Sequence, residues 1–278
     1  MMHKDRTMER NDAGKGGIPM VELSLLDGRG EVLDRVRSAE AAALTAVRTY
    51  QPGDQLVIVT DQQELYVSVD AFVTPAYIHV PQGRFTYVFS TQDAELQPYA
   101  PQAFRGELHT YTAAPALCSR GIYRNLALNP VAQREFRGAF PFVSANVETR
   151  DESVFFARNV IDGCLQNHSH GMWPYQSWGI GLSECAEITL DFGREVKIDK
   201  MRLVLRADFP HDAYWRQGTV SFSDGTEHTF SLTKTDQPQE IPLERVHLVR
   251  WMKMHHLVKQ VMDSPFLALT EWEVWGWG

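Results

Sequence analysis

Two short stretches hold most of the residues able to do chemistry. Segment 166–179, QNHSHGMWPYQSWG, carries His168, His170, Trp173, Tyr175 and Trp178. Segment 206–216, RADFPHDAYWR, carries Arg206, Asp208, His211, Asp212, Tyr214 and Trp215. Flat aromatic rings cover the apolar C–H face of a pyranose, while carboxylate, imidazole and guanidinium groups bind hydroxyls in planar, directional pairs. The two stretches together are equipped to hold a sugar. Trp173, Trp178 and Trp215 would stack on the ring, and Arg206, Asp208, His211 and Asp212 would take its hydroxyls, with His168, His170 and Tyr175 beside them.

Other chemistries draw on the same residues. His168 and His170 stand two apart and point the same way on an extended chain. With His211 and Asp208 or Asp212 they make a nitrogen-and-carboxylate set of the kind that suits zinc. No HExxH accompanies them. As acid and base, His170, Asp208, His211 and Asp212 would serve a small carbohydrate-active hydrolase or lyase. Segment 175–179, YQSWG, departs from the nucleophile-elbow pattern because Tyr175 replaces its first glycine. There is no GxGxxG and no Walker A motif. The leading expectation is therefore a non-catalytic carbohydrate-binding protein, with the enzyme as the alternative. A third reading, a protein-docking module, rests on Trp272, Trp275 and Trp277 in the closing WEVWGWG run, whose alternation sends one face into a core.

The elements that must position these residues are mostly strands. A chain of 278 residues is long enough for two compact domains. In the first half, alternation and turn residues predict strands over 21–26, 55–60, 64–69, 76–80, 84–89 and 107–113. Segment 31–48 is Ala-rich and places Val32, Val36, Ala43, Leu44 and Val47 near helical spacing, which predicts a helix. The Pro-rich stretch 97–104 predicts a loop. Residues 18–118 are thus expected to form a small, mostly-β sandwich with a short helix. In residues 119–278, strands are predicted over 187–192, 200–207, 219–222, 228–232, 239–242, 246–252 and 267–275, with the SDG at 223–225 as a hairpin turn. Segment 246–258 also fits a helix by periodicity, but a sandwich needs a strand there. So many short strands suit an all-β sandwich or jelly roll better than alternating β and α elements.

Composition narrows the partners. The net charge of −8, from 27 basic and 35 acidic residues, argues against non-specific nucleic-acid binding, which needs cations to neutralise phosphates. The basic run 245–259 reads as a solvated strand face. No apolar stretch reaches 18 residues, so no membrane partner is expected. Segment 1–17 is polar and Gly-rich without an apolar centre, which reads as a flexible leader and a cytoplasmic protein. Cys118, Cys164 and Cys185 are odd in number and form no CxxC, so no disulfide framework is implied. The expected partner is a carbohydrate ligand; a homodimer through the sheet faces stays open.

Three phrases in the second half carry a family resemblance: NLALNP at 125–130, ARNVIDG at 157–163 and SPFLALTEWEVWG at 264–276. They resemble the discoidin-like or galactose-binding-like jelly roll of coagulation-factor C-type domains and many carbohydrate-binding modules. Such modules often open on an Asn-Leu-Ala phrase and an Ala-x-Asn-x-x-Asp-Gly turn, and close on a strand carrying Glu and ending in Gly. The resemblance implies a jelly roll over 119–278, glycan binding, and loops gathered at one end so that 166–179 and 206–216 share a site. It also implies a structural calcium between the Asp-Gly turn and the last strand, at the positions of Asp162 and Glu271. Hard carboxylate oxygens suit that ion. Where the modules often have Thr after the turn, this chain has Leu165, Gln166 and Asn167.

Overall fold

The computed structural model describes residues 20–116, 121–168, 170–207, 213–260 and 264–278. The leader read over 1–17, Cys118, Asp208, His211 and Asp212 lie outside them. The described chain is almost entirely β, and no helix in it is long and apolar enough to cross a membrane.

The first eight strands are β1 (Val21–Leu26), β2 (Val32–Ser38), β3 (Ala42–Val47), β4 (Gln55–Thr60), β5 (Glu64–Ser68), β6 (Ala76–His79), β7 (Arg84–Val88) and β8 (Leu108–Pro115). They form two four-stranded antiparallel sheets, ordered β2-β1-β4-β7 and β3-β8-β5-β6. Period-two alternation buries one face of each strand. In β3, Ala42, Leu44 and Ala46 are buried while Ala43, Thr45 and Val47 are exposed. Leu23, Leu56, Ile58, Leu65, Phe85 and Tyr111 fill the core between the sheets.

The helix expected over 31–48 is not formed. That segment is two strands, β2 paired with β1 and β3 paired with β8. Val32 and Val47, two members of its apparent helical stripe, are exposed. Backbone pairing with β1 and β8 satisfies the segment in a way that an isolated propensity cannot foresee. The α-helical turn of this half is α1 (Asp93–Leu96) instead.

The second half contributes β9 (Tyr123–Asn125), β10 (Phe142–Ala145), β11 (Trp178–Gly179), β12 (Ile188–Leu205), β13 (Trp215–Phe222), β14 (Glu227–Ser231), β15 (Gln239–Lys259) and β16 (Ala268–Trp277). Their antiparallel order is β11-β16-β12-β15-β13-β14, with β10 against β12 and β9 against β16. The strands expected over 187–192 and 200–207 are one strand, β12, interrupted by a register shift between Asp191 and Val196. Its first part lies between β10 and β15, its second between β16 and β15. Segments 239–242 and 246–252 likewise merge into β15, so the helical alternative for 246–258 falls away. Bulges bend a long strand and let it change partner, which is how two apolar runs belong to one element. A core of Trp178, Trp215, Trp272, Leu203, Phe222 and Met252 lies against these strands. Trp272 is fully buried, so it is not available for the docking reading; Trp275 and Trp277 are half-buried against Tyr123.

The two halves are stitched together. Val131 and Ala139 belong to the first core. Gln133 clasps Val88 through both main-chain groups, at 3.1 and 2.8 Å, and His79 exchanges main-chain hydrogen bonds with Phe140 at 2.9 Å. Arg194 pairs with Glu64 at 3.1 Å. Gly138, with φ 98°, lies so close to β7 that a Cβ would stand 2.1 Å from the Arg84 carbonyl oxygen.

Candidate functional site

Asp162 follows a 3-10 turn, Ala157–Ile161. Its Oδ1 accepts the Cys164 N–H at 2.8 Å, and its Oδ2 accepts Gln176 Nε2–H at 3.0 Å. Glu271, fully buried on β16, takes the Gly163 N–H at 3.2 Å to each oxygen. The fold thus brings to one turn the two carboxyls expected to hold calcium. Burial pushes the Asp162 carboxyl up to about 6 against the pull of the Arg158 guanidinium. Burial, then the neighbouring Asp162, pushes Glu271 well above the usual carboxylate range. Their hard oxygens suit a hard cation, and a cation bound there would offset the burial that raises both carboxyls. Among the described residues no third carboxylate, histidine or cysteine completes a metal cluster there, so main-chain or amide oxygens would supply the other ligands.

The rest of the aromatic loop separates into a buried base and an exposed crest. Trp178 is fully buried, donates Nε1–H to the Val147 carbonyl at 2.8 Å, and stacks on the equally enclosed Trp215 at 6.3 Å. Both are core residues, which corrects the expectation that they stack on a ligand: neither presents a ring face to solvent. Tyr175 is buried against Val154 and Phe155 and donates to Gln97 Oε1 at 3.2 Å. Arg206 is also buried; its Nη1 donates to the Tyr175 carbonyl oxygen and its guanidinium stands 5.7 Å from that ring. It braces the loop from within.

On the crest, His168 and His170 are exposed. The His168 N–H closes the loop onto the Pro174 carbonyl at 2.8 Å, and His170 meets Tyr175 edge-on at 6.3 Å. The partners expected for them, Asp208, His211 and Asp212, lie outside the described residues. Trp173 is 37% exposed on a loop whose next members, Tyr175 to Trp178, are all buried.

Trp173 overhangs a groove of about 230 Å³. Gln166, Gln176, Asp162 and Arg158 line it from the second half, and Phe72, Thr74 and Tyr99 line it from the first. Phe72 is 58% exposed, an aromatic ring left in water in a turn. None of Phe72, Tyr99, Arg158, Gln166 and Gln176 is recognisable as a site residue from sequence. An aromatic ring in the turn before Thr74-Pro75 is the single local signal, and only the docking of the two halves gives it a partner.

No family model and no curated protein matches the sequence. Similar solved structures cover about half of the chain. A chitosan-binding module of a chitosanase/glucanase from Paenibacillus sp. IK-5 is 19% identical over 55% of this chain and 99% of its own, with a TM-score of 0.39. A fucose-binding module from Streptococcus pneumoniae is 14% identical over 56% of this chain and 99% of its own, with a TM-score of 0.40. A family 32 carbohydrate-binding module from C. perfringens, in complex with galactose, is 13% identical over 48% and 91%, with a TM-score of 0.37. What the groove recognises has to follow from its own residues.

Proposed function

We propose that the chain is a non-catalytic carbohydrate-binding protein that holds a sugar in the groove between Trp173 and Phe72. The observation that carries this reading is the pairing of two water-exposed aromatic rings with amide and carboxyl groups in one small groove. A pyranose has an apolar C–H face and an equatorial rim of hydroxyls. Trp173 and Phe72 offer surface to the face, while Gln166, Gln176 and Thr74 offer donors and acceptors to the rim. The buried residues that follow Trp173 anchor the loop that carries it, so little backbone freedom is lost on binding. A calcium ion on Asp162 and Glu271 would brace the same wall, because Asp162 also holds Gln176.

The test is a glycan-array screen of the full chain, run with calcium and then with chelator. Trp173→Ala is expected to weaken any hit about tenfold or more, the scale of a lost aromatic contact. Trp251→Ala, which removes a similarly exposed tryptophan on β15, should leave it unchanged. Silence across the array, or full binding by Trp173→Ala, would overturn the proposal.

A further inference from the structure

Beyond Tyr99 and Arg158 lies a second and larger cleft, of about 510 Å³, between the β7–α1 region and residues 151–156. Pro98, Tyr99 and Arg158 line both this cleft and the Trp173 groove. The two are adjacent, but their walls differ. Four carboxylates and three guanidinium groups line the larger one.

Its carboxylates are all engaged. Glu95 accepts from Ser90 Oγ at 2.5 Å, Glu135 pairs with Arg137 at 3.1 Å, Glu152 pairs with Arg150 at 2.7 Å, and Asp151 pairs with Arg134. Two of its three guanidinium groups, those of Arg158 and Arg137, each keep one nitrogen without a hydrogen-bond partner among the described residues. Arg158 is 6% exposed and forms no ion pair among the described residues, and its Nη2 has no hydrogen-bond partner. Arg137 lines the cleft, and its buried Nε is equally without a partner among the described residues. Buried donors of this kind have given up water and gained nothing in exchange.

Arg158 is also fixed in place. Its Nε donates to Asn159 Oδ1 at 3.0 Å, its Nη1 to the Ala132 carbonyl at 3.1 Å and to Tyr99 Oη, and its guanidinium carbon lies 4.5 Å from the centre of the Tyr99 ring. A planar fork held this way presents its one free amino group in a set direction.

We infer that this cleft binds the carboxylate of a sugar acid, with Arg158 Nη2 and Arg137 Nε as the donors. The excess of carboxylates over guanidinium groups disfavours a dianion such as phosphate, whereas a single carboxylate adds one negative charge and two acceptor oxygens. The remaining wall, with Gln92, Gln97 and Ser153, suits the hydroxyls of the same molecule. The sugar half of this assignment rests on the function proposed above; the carboxylate half rests on the two unpartnered donors alone.

The test is calorimetric titration of the full chain with galacturonate, with galactose, and with N-acetylglutamate as a non-sugar carboxylate. Galacturonate should bind, and Arg137→Gln, which leaves every contact of Arg158 in place, should weaken it about tenfold. Arg158→Gln should weaken it further, with its unfolding midpoint recorded; should that variant not fold, Arg137→Gln decides. Trp173→Ala should leave galacturonate binding intact. Galacturonate binding together with silence from every neutral glycan would remove the Trp173 groove reading and keep this one. Equal binding of galactose and galacturonate, lost only in Trp173→Ala, would overturn the acid site and keep the groove. N-acetylglutamate binding as tightly as galacturonate would assign the cleft to an acidic peptide and overturn the sugar acid. Failure of galacturonate to bind at all would overturn it too.

Discussion

Replacing Asp162 with Asn should make the cation-free protein more stable near pH 8 and no more stable near pH 4. Burial raises the Asp162 carboxyl from its ordinary 3.8 to about 6. For an acid raised on folding, the stabilising contribution is fully present below the unfolded value and is lost as pH rises through the folded one. The loss begins near pH 4, is complete above about pH 6, and amounts to about 3 kcal/mol. Asn is the uncharged stand-in. Its Oδ1 keeps the Cys164 N–H, but its amide cannot accept from Gln176 in the same orientation, which forfeits about 1 kcal/mol. The net gain near pH 8 is therefore about 2 kcal/mol. Removing the charge also relieves the neighbouring Glu271, whose own rise owes part of its size to Asp162, so this gain is a lower bound. Urea denaturation of both proteins in chelator, at the two pH values, reads the difference directly. Equal destabilisation of Asp162→Asn at both pH values would show that the carboxyl is not strained at neutral pH. Saturating calcium should then reverse the order near pH 8, because the wild type has two carboxylates to offer the ion and the variant one.

Three further outcomes follow from the packing and the charges. Trp178→Ala empties a fully buried site beside Trp215 and should cost about 3–5 kcal/mol in urea denaturation, while a ligand-stacking role would predict lost binding at unchanged stability. Gly138→Ala drives a Cβ to 2.1 Å from the Arg84 carbonyl oxygen at a φ of 98°; it should lower stability by more than about 1 kcal/mol, and an unchanged thermal midpoint would contradict the close approach. Burial would raise Asp224, but hydrogen bonds from Thr226 and His247 outweigh it and hold the carboxyl down to about 2. Its contribution is present above 3.8 and disappears as pH falls through about 2, so Asp224→Asn should lower the thermal midpoint near pH 7 and have little effect near pH 2.

Strand identity was legible wherever turn residues bracket an alternating run. β1 and β4 occupy the expected segments 21–26 and 55–60, because the DGRG and PGD turns leave the chain few other places to bend. Segment 31–48 misled because Ala-rich sequence near helical spacing and a pair of alternating strands overlap in composition. Pairing of β2 with β1 and of β3 with β8 decides between them. The apolar pattern within β12 and within β15 was visible, but their continuity was not, since a bulge reads in sequence as the end of a strand.

For the site, residue type alone could not separate an aromatic ring that stacks on a ligand from one that fills a core. Trp173 and Trp178 stand five positions apart in the same loop, yet one is 37% exposed and the other 0%. The difference comes from the pairing of β11 with β16, which draws Trp178 inward. The sequence by itself determined the all-β class and the local turn chemistry that sets Asp162 beside Cys164, because these depend on contacts a few residues long. Only the tertiary structure decided which aromatic rings face water. It also decided that Glu271 meets Gly163, and that Arg158 Nη2 finds no hydrogen-bond partner among the described residues where the two halves meet. Those facts depend on segments distant in the chain burying each other's surfaces, and no local pattern records which surfaces remain uncovered.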